Sequence, residues 1–151
     1  MSHVFIFASA ESRLHADLAV VRLKQAGITL ESISLLYPAT LQPNTARCWL
    51  SGSGKFSLSD DEEIGSSGRF GSPEDFQGTG DSENLEKRLT TLGLASEQRA
   101  AIKEILCEGR IVIAVEARNK DEIRAIFDTL SYVGVENSFS ARRSFTSRLA
   151  A

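Results

Sequence analysis

The chain reads as an α+β fold of the ferredoxin-like kind, with two βαβ halves forming one antiparallel-containing sheet and helices on one face of it. Three observations predict this. Gly109 to Val135 is a clear strand-turn-helix. A second copy of its pattern begins at His3, at an offset of 107 that places Ile6 on Ile113, Ala10 on Ala117, Leu23 on Leu130, Gly27 on Gly134 and Ile28 on Val135. A further strand is expected after each helix, and right-handed crossovers then interleave the two halves.

The 151 residues fit a single domain, 1–151. Its first half, 3–38, starts with Val4, Phe5, Ile6 and Phe7 as a strand, and Ser9 to Ser12 supply the turn and cap. Leu14, Leu18 and Val21, with Ala19, Leu23 and Ala26, then form the apolar face of a helix that Gly27 stops. After the connection Ile28 to Glu31, Ser32 to Tyr37 alternates as a second strand, ended by Pro38.

The segment 39–84 is a long polar insert. Ser51 to Asp81 is dense in Gly, Ser and acidic residues, and Phe56, Leu58, Ile64, Phe70 and Phe76 keep neither helical nor strand spacing. It is expected to be a long loop, with Phe56-Ser57-Leu58 as a candidate extra strand. In 85–109, Leu85, Leu89 and Leu92 point to a short helix, and Ser96 caps another that carries Ile102, Ile105 and Leu106 to the core.

The second half, 110–141, opens with Arg110 to Val115, whose β-branched run suits a strand buried on both faces. Asn119 caps the next helix, and Asp121 and Glu122 lie where the helix dipole favours negative charge. Ile123, Ile126, Phe127, Leu130 and Val133 form its apolar face, and Gly134 is its left-handed stop. Val135 to Ser140 closes the sheet at an edge, and 142–151, with Arg142, Arg143 and Arg148, reads as a solvated tail.

A net charge of −3 and a pI near 5.4 argue against a nucleic-acid partner, because a phosphate backbone requires concentrated basic surface. The apolar run Val4 to Ala8 is too short for a secretory core or a membrane span, which points to a cytoplasmic protein with no membrane partner. Cys48 and Cys107 form no CxxC pair and read as free thiols, Cys107 half-buried. His3 and His15 lack ligand spacing with either cysteine; both read as incidental, and no metal is expected.

Gly52-Ser53-Gly54-Lys55 resembles a phosphate loop but fails on spacing. Trp49 stands where the first glycine belongs, and Phe56 stands where Ser or Thr would hold magnesium. Asp60, Asp61, Glu62 and Glu63 with Gly65 fall short of a calcium loop, because Ile64 takes a ligand position. Neither histidine has a partner for a catalytic triad. No catalytic residue, cofactor or cofactor-binding residue is nominated.

The phrases VFIFASAESRLHADLAVVRLKQAGI, ESISLL and LGLASEQRAAIKEILCEGRIVIAVEA, with the helix ending at Gly134, resemble the bacterial general stress protein domain family, the heat-induced stress proteins. The likeness covers about two-thirds of the chain. That family's middle segment is glycine-rich and apolar, whereas Ser51 to Asp81 here is acidic and polar. The resemblance implies a stress-related role and carries over no catalytic residue.

These readings converge on a small non-catalytic binding or interaction module. A sheet with helices on one face leaves the other face to the insert or to a second subunit, so a homodimer or a protein partner is expected. The alternative is a ligand-sensing domain that holds a small metabolite between the turn at Ala8 to Ser12 and a neighbouring subunit; an enzyme using the insert is a third class.

Overall fold

The structure, a computed structural model, describes residues 3–45, 49–50, 53–59, 62–67, 83–84, 94–134 and 136–143. In chain order, β1 (His3–Ala10), α1 (Arg13–Gln25) and β2 (Ile33–Pro38) are followed by β3 (Ser53–Ser59), β4 (Glu62–Ser67) and the two-residue β5 (Glu83–Asn84). Then come α2 (Ser96–Cys107), β6 (Ile111–Ala117), α3 (Lys120–Tyr132) and β7 (Glu136–Arg143). The fold is α+β. Its sheet runs β5-β3-β4-β2-β6-β1-β7, and every neighbouring pair is antiparallel except β3 with β5.

The strands that α1 connects, β1 and β2, are not neighbours, because β6 lies between them; likewise β1 lies between β6 and β7. The register places Ile6 opposite Val115 and Ile33 opposite the same Val115. Two-residue alternation then divides the core cleanly. Ile6, Ala8, Ala10, Ile33, Leu35, Ile111, Ile113 and Val115 face α1 and α3, whereas Phe5, Phe7, Leu36, Val112 and Ala114 face Ile102, Ile105 and Leu106 of α2. Residues 111–115 are all buried, as the β-branched run predicts for a strand covered on both sides.

The position of α2 corrects the expectation of helices on one face. Strands β1, β2 and β6 are covered on both sides, and the face left to the insert or to a second subunit is packed there by this chain's own helix, with Ile64 of the insert beside it. Sequence order alone could not assign α2 a side, because its Ile102, Ile105 and Leu106 would pack against either one.

A second correction concerns α1. Leu23 and Ala19 are fully buried with Ala16 and Val20, but Leu14 and Leu18 are 77% and 45% exposed, and Ala26 is exposed. Two sets of residues share helical spacing on this helix, and the one with alanines wins because small side chains let the helix backbone approach the sheet. On α3 the expected face holds: Ile126 and Leu130 are buried, with Ile123, Phe127 and Val133 packed against the same core. Asn119 Oδ1 accepts from Glu122 N–H at 2.8 Å, as a cap should. The expected cap of α2 lies one residue early: Ala95 holds that position, and its N–H donates to Gln98 Oε1 at 3.0 Å.

The polar insert differs most from expectation. Instead of a loop, 53–59 and 62–67 form β3 and β4, which extend the sheet beyond β2. Their pairing is a backbone matter. Leu35 to Pro38 present an edge on which Ile64 to Ser67 register, and Ile64 enters the core beside α2. The candidate strand Phe56-Ser57-Leu58 lies within β3, whereas Phe70, Phe76 and the helix expected at Leu85 to Leu92 fall outside the described residues. The closing strand expected at Val135 to Ser140 is the edge strand β7, Glu136–Arg143, so Arg142 and Arg143 belong to β7 and not to a tail; Val135 and Arg148 fall outside the described residues.

Candidate interaction surface

The sequence nominates no catalytic centre, and the places it tested are otherwise occupied. Gly54 and Lys55 lie in the extended strand β3, and Glu62 and Glu63 lie in β4, whereas Gly52, Asp60 and Asp61 fall outside the described residues. Cys107, expected half-buried, is a free, exposed thiol at the end of α2, and Cys48 falls outside the described residues. At the turn nominated for a metabolite, Ser12 Oγ accepts from His15 N–H at 3.1 Å to cap α1, and Ser9 Oγ accepts from Arg110 Nη2 at 3.0 Å. Among the described residues no group of three or more His, Cys, Asp or Glu could hold a metal ion. No helix among them is long and apolar enough to cross a membrane.

What the structure brings together instead is centred on α1. Among the described residues the exposed large hydrophobics are Leu14, Leu18, Trp49 and Tyr132. All four belong to α1 or meet its basic side chains. Leu14 and Leu18 lie one turn apart on its outer side, with half-buried Val21 continuing the row. Tyr132, at the end of α3, lies beneath the Arg22 guanidinium at 5.2 Å from ring centre to Cζ. Trp49 lies beneath Lys24, with Nζ 4.8 Å from its ring centre. Each cation is attracted to the negative face of its ring, which holds these rings at the flanks of α1.

The flanks are fixed by further bonds. On the side toward β2, Asp17 Oδ1 accepts from both the N–H (2.8 Å) and the Oγ1 hydroxyl (2.7 Å) of Thr45, which anchors the segment leading to Trp49 and to buried Leu50. Between β2 and β4, Tyr37 and Ser67 share a buried hydroxyl contact of 2.9 Å, and Gln42 Nε2 donates to Tyr37 Oη at 3.2 Å. On the other side, His15 Nε2 meets the carbonyl of Val133 at 2.7 Å, tying α1 to the end of α3. This histidine, read from sequence as incidental, is a structural bridge. Between the two helices Arg22, Gln25, Ala26, Asp128, Thr129 and Tyr132 line an open groove of about 280 Å³.

Sequence reasoning assigned Leu14 and Leu18 to the core, and so missed this surface. One signal was present: α1 carries two overlapping apolar rows, more than one buried face needs. Searches found no matching family model, no matching curated protein and no matching solved structure.

Proposed function

We propose that this chain is a non-catalytic interaction module that binds another protein through the outer face of α1 and its flanking rings. The observation that carries this reading is the gathering of all four exposed large hydrophobics of the described residues on or against one helix. Such patches are how folded proteins present a binding surface, whereas single scattered apolar residues have no such meaning. The order β2-β6-β1-β7, with α1 and α3 on one face, supports a ferredoxin-like unit built from two βαβ halves. Duplication is supported by the offset pairs: Ile6 and Ile113, Ala10 and Ala117, and Leu23 and Leu130 are all buried in one core, and Gly27 and Gly134 both take positive φ, 96° and 77°. The resemblance of its sequence phrases to bacterial general stress proteins supports a stress-related role for the module in the cytoplasm.

In-cell photo-crosslinking tests this. A photoreactive residue at position 18 should give one adduct of defined mass, and the same residue at exposed position 104 on α2 should give none. Equal labelling at both positions, or none at either, would overturn the reading. An adduct at twice the chain mass would identify the partner as a second copy.

A ligand-sensing reading is favoured by a different observation, the polar groove between α1 and α3, where Arg22, Gln25, Asp128 and Thr129 converge beside Tyr132. A zwitterionic metabolite suits its paired charges. A midpoint in thermal unfolding that rises with amino acids in the wild type, but not in Arg22→Ala, supports it; no rise in either removes it.

A further inference from the structure

Resting on the interaction-module reading, the geometry of α1 also points to the chemistry of the partner: we infer that its outer face receives an amphipathic helix with an apolar stripe and an acidic flank facing Arg13 and Lys24. Leu14, Leu18, Val21 and Gln25 follow one another at steps of four, three and four residues, which makes a single row along the helix. This row is the seam a partner helix needs, in the manner of helix-to-helix recognition through anchors on one face. Leu14 at 77% and Leu18 at 45% exposure leave two anchors open to it.

The charges beside the row select the partner. Arg13 and Lys24 lie three turns apart on the flank toward Trp49, and Arg22 lies on the opposite flank; all three are exposed. Asp17, the acidic residue of α1, has one oxygen committed to Thr45. Asp17 lies between Arg13 and Lys24 on their flank, so two cations face one carboxylate there and leave one net positive charge, whereas Glu11 before the helix and Asp128 beside Arg22 offset the opposite flank. The whole chain carries −3, which makes the Arg13 and Lys24 flank a local exception to its overall sign. A second copy presenting the same cations would meet repulsion along this flank, whereas glutamates placed beside a leucine stripe would meet attraction.

Trp49 is the single tryptophan of the chain and lies against Lys24, so its fluorescence reports on this flank directly. The test titrates the full chain with two synthetic peptides of about four helical turns, identical in their leucine stripe, one flanked by glutamate and the other by lysine. The glutamate peptide is expected to shift Trp49 emission saturably and to bind at least about tenfold more tightly than the lysine peptide, with the preference shrinking at high salt. Lys24→Glu with Arg13→Glu should reverse the preference, and Leu18→Asp should weaken both peptides by about tenfold or more. Leu14 and Leu18 are exposed, so these variants keep the fold, which circular dichroism verifies.

Equal binding of the two peptides, or binding unaffected by Leu18→Asp, overturns the inference. So does a Trp49 response to anionic phospholipid vesicles with none to the glutamate peptide, which would assign the face to a lipid surface. Failure here alongside a specific crosslink at position 18 leaves the interaction module standing with a partner of other chemistry; loss of the crosslink as well removes both.

Discussion

His15 of α1 joins the end of α3 through one ring nitrogen and its own turn through the other: Nε2 lies 2.7 Å from the carbonyl oxygen of Val133, and Nδ1 accepts from the backbone N–H of Glu11 at 3.2 Å. A carbonyl only accepts and an amide N–H only donates, so the ring is held as the neutral tautomer with its proton on Nε2. Val133 is the residue that ends α3, where carbonyls lack helical partners. His15→Ala should therefore lower stability by about 1–2 kcal/mol, and nitrogen chemical shifts should show the Nε2–H form. Observation of the other tautomer would refute the bridge.

Gly65 lies against the ring of Tyr37, where an added Cβ would collide with Tyr37 Cε1. Tyr37 cannot swing aside freely, since its hydroxyl is engaged by Ser67 and Gln42. Gly65→Ala should cost about 1–3 kcal/mol by overpacking. Denaturant unfolding measures it, and the double variant with Tyr37→Leu should recover part of the loss.

The start of α3 makes a pH prediction. Glu122 accepts from the backbone N–H of Arg118 at 2.9 Å and from its guanidinium at 3.2 Å, and the backbone bond foremost holds the carboxyl below its ordinary range. A lowered folded pKa gives stability that is complete above the unfolded value, about 4.3, and is lost as pH falls through the folded value. The stability gap between wild type and Glu122→Gln should thus be widest near neutrality and should close in acid. A gap independent of pH would contradict this.

The two apolar rows of α1 should behave oppositely. Leu23→Ala empties a fully buried site and should cost about 2–5 kcal/mol, whereas Leu14→Ala should change stability by no more than about 0.5 kcal/mol. Equal effects would place Leu14 in the core after all. Urea midpoints of the two variants decide the matter.

These two rows also show where sequence reasoning loses its hold. Both follow helical spacing, and only the depth at which α1 meets the sheet selects Ala16, Ala19, Val20 and Leu23 over Leu14 and Leu18. On α3 there was one apolar row, with Asn119 before it and Gly134 after it, so its face and its limits were readable. Strand β3 was legible only at Phe56-Ser57-Leu58 and β4 not at all, for a different reason. Beyond Phe56 to Ser59, Gly, Ser and Glu residues give no sustained alternation there, and β4 takes its place by pairing with the edge of β2. His15 gave no signal because its main partner is a backbone carbonyl, which carries no residue identity.

The central place of β1 has a consequence for synthesis. Both of its neighbours are made late: Ala10 pairs with Ile111, and His3 pairs with Arg143. While the ribosome is producing the middle of the chain, this apolar strand has no edge to join. Phe5, Ile6 and Phe7 therefore wait in the nascent chain for β6 and β7 to emerge, a delay that invites chaperone binding and sets the order in which the sheet can close.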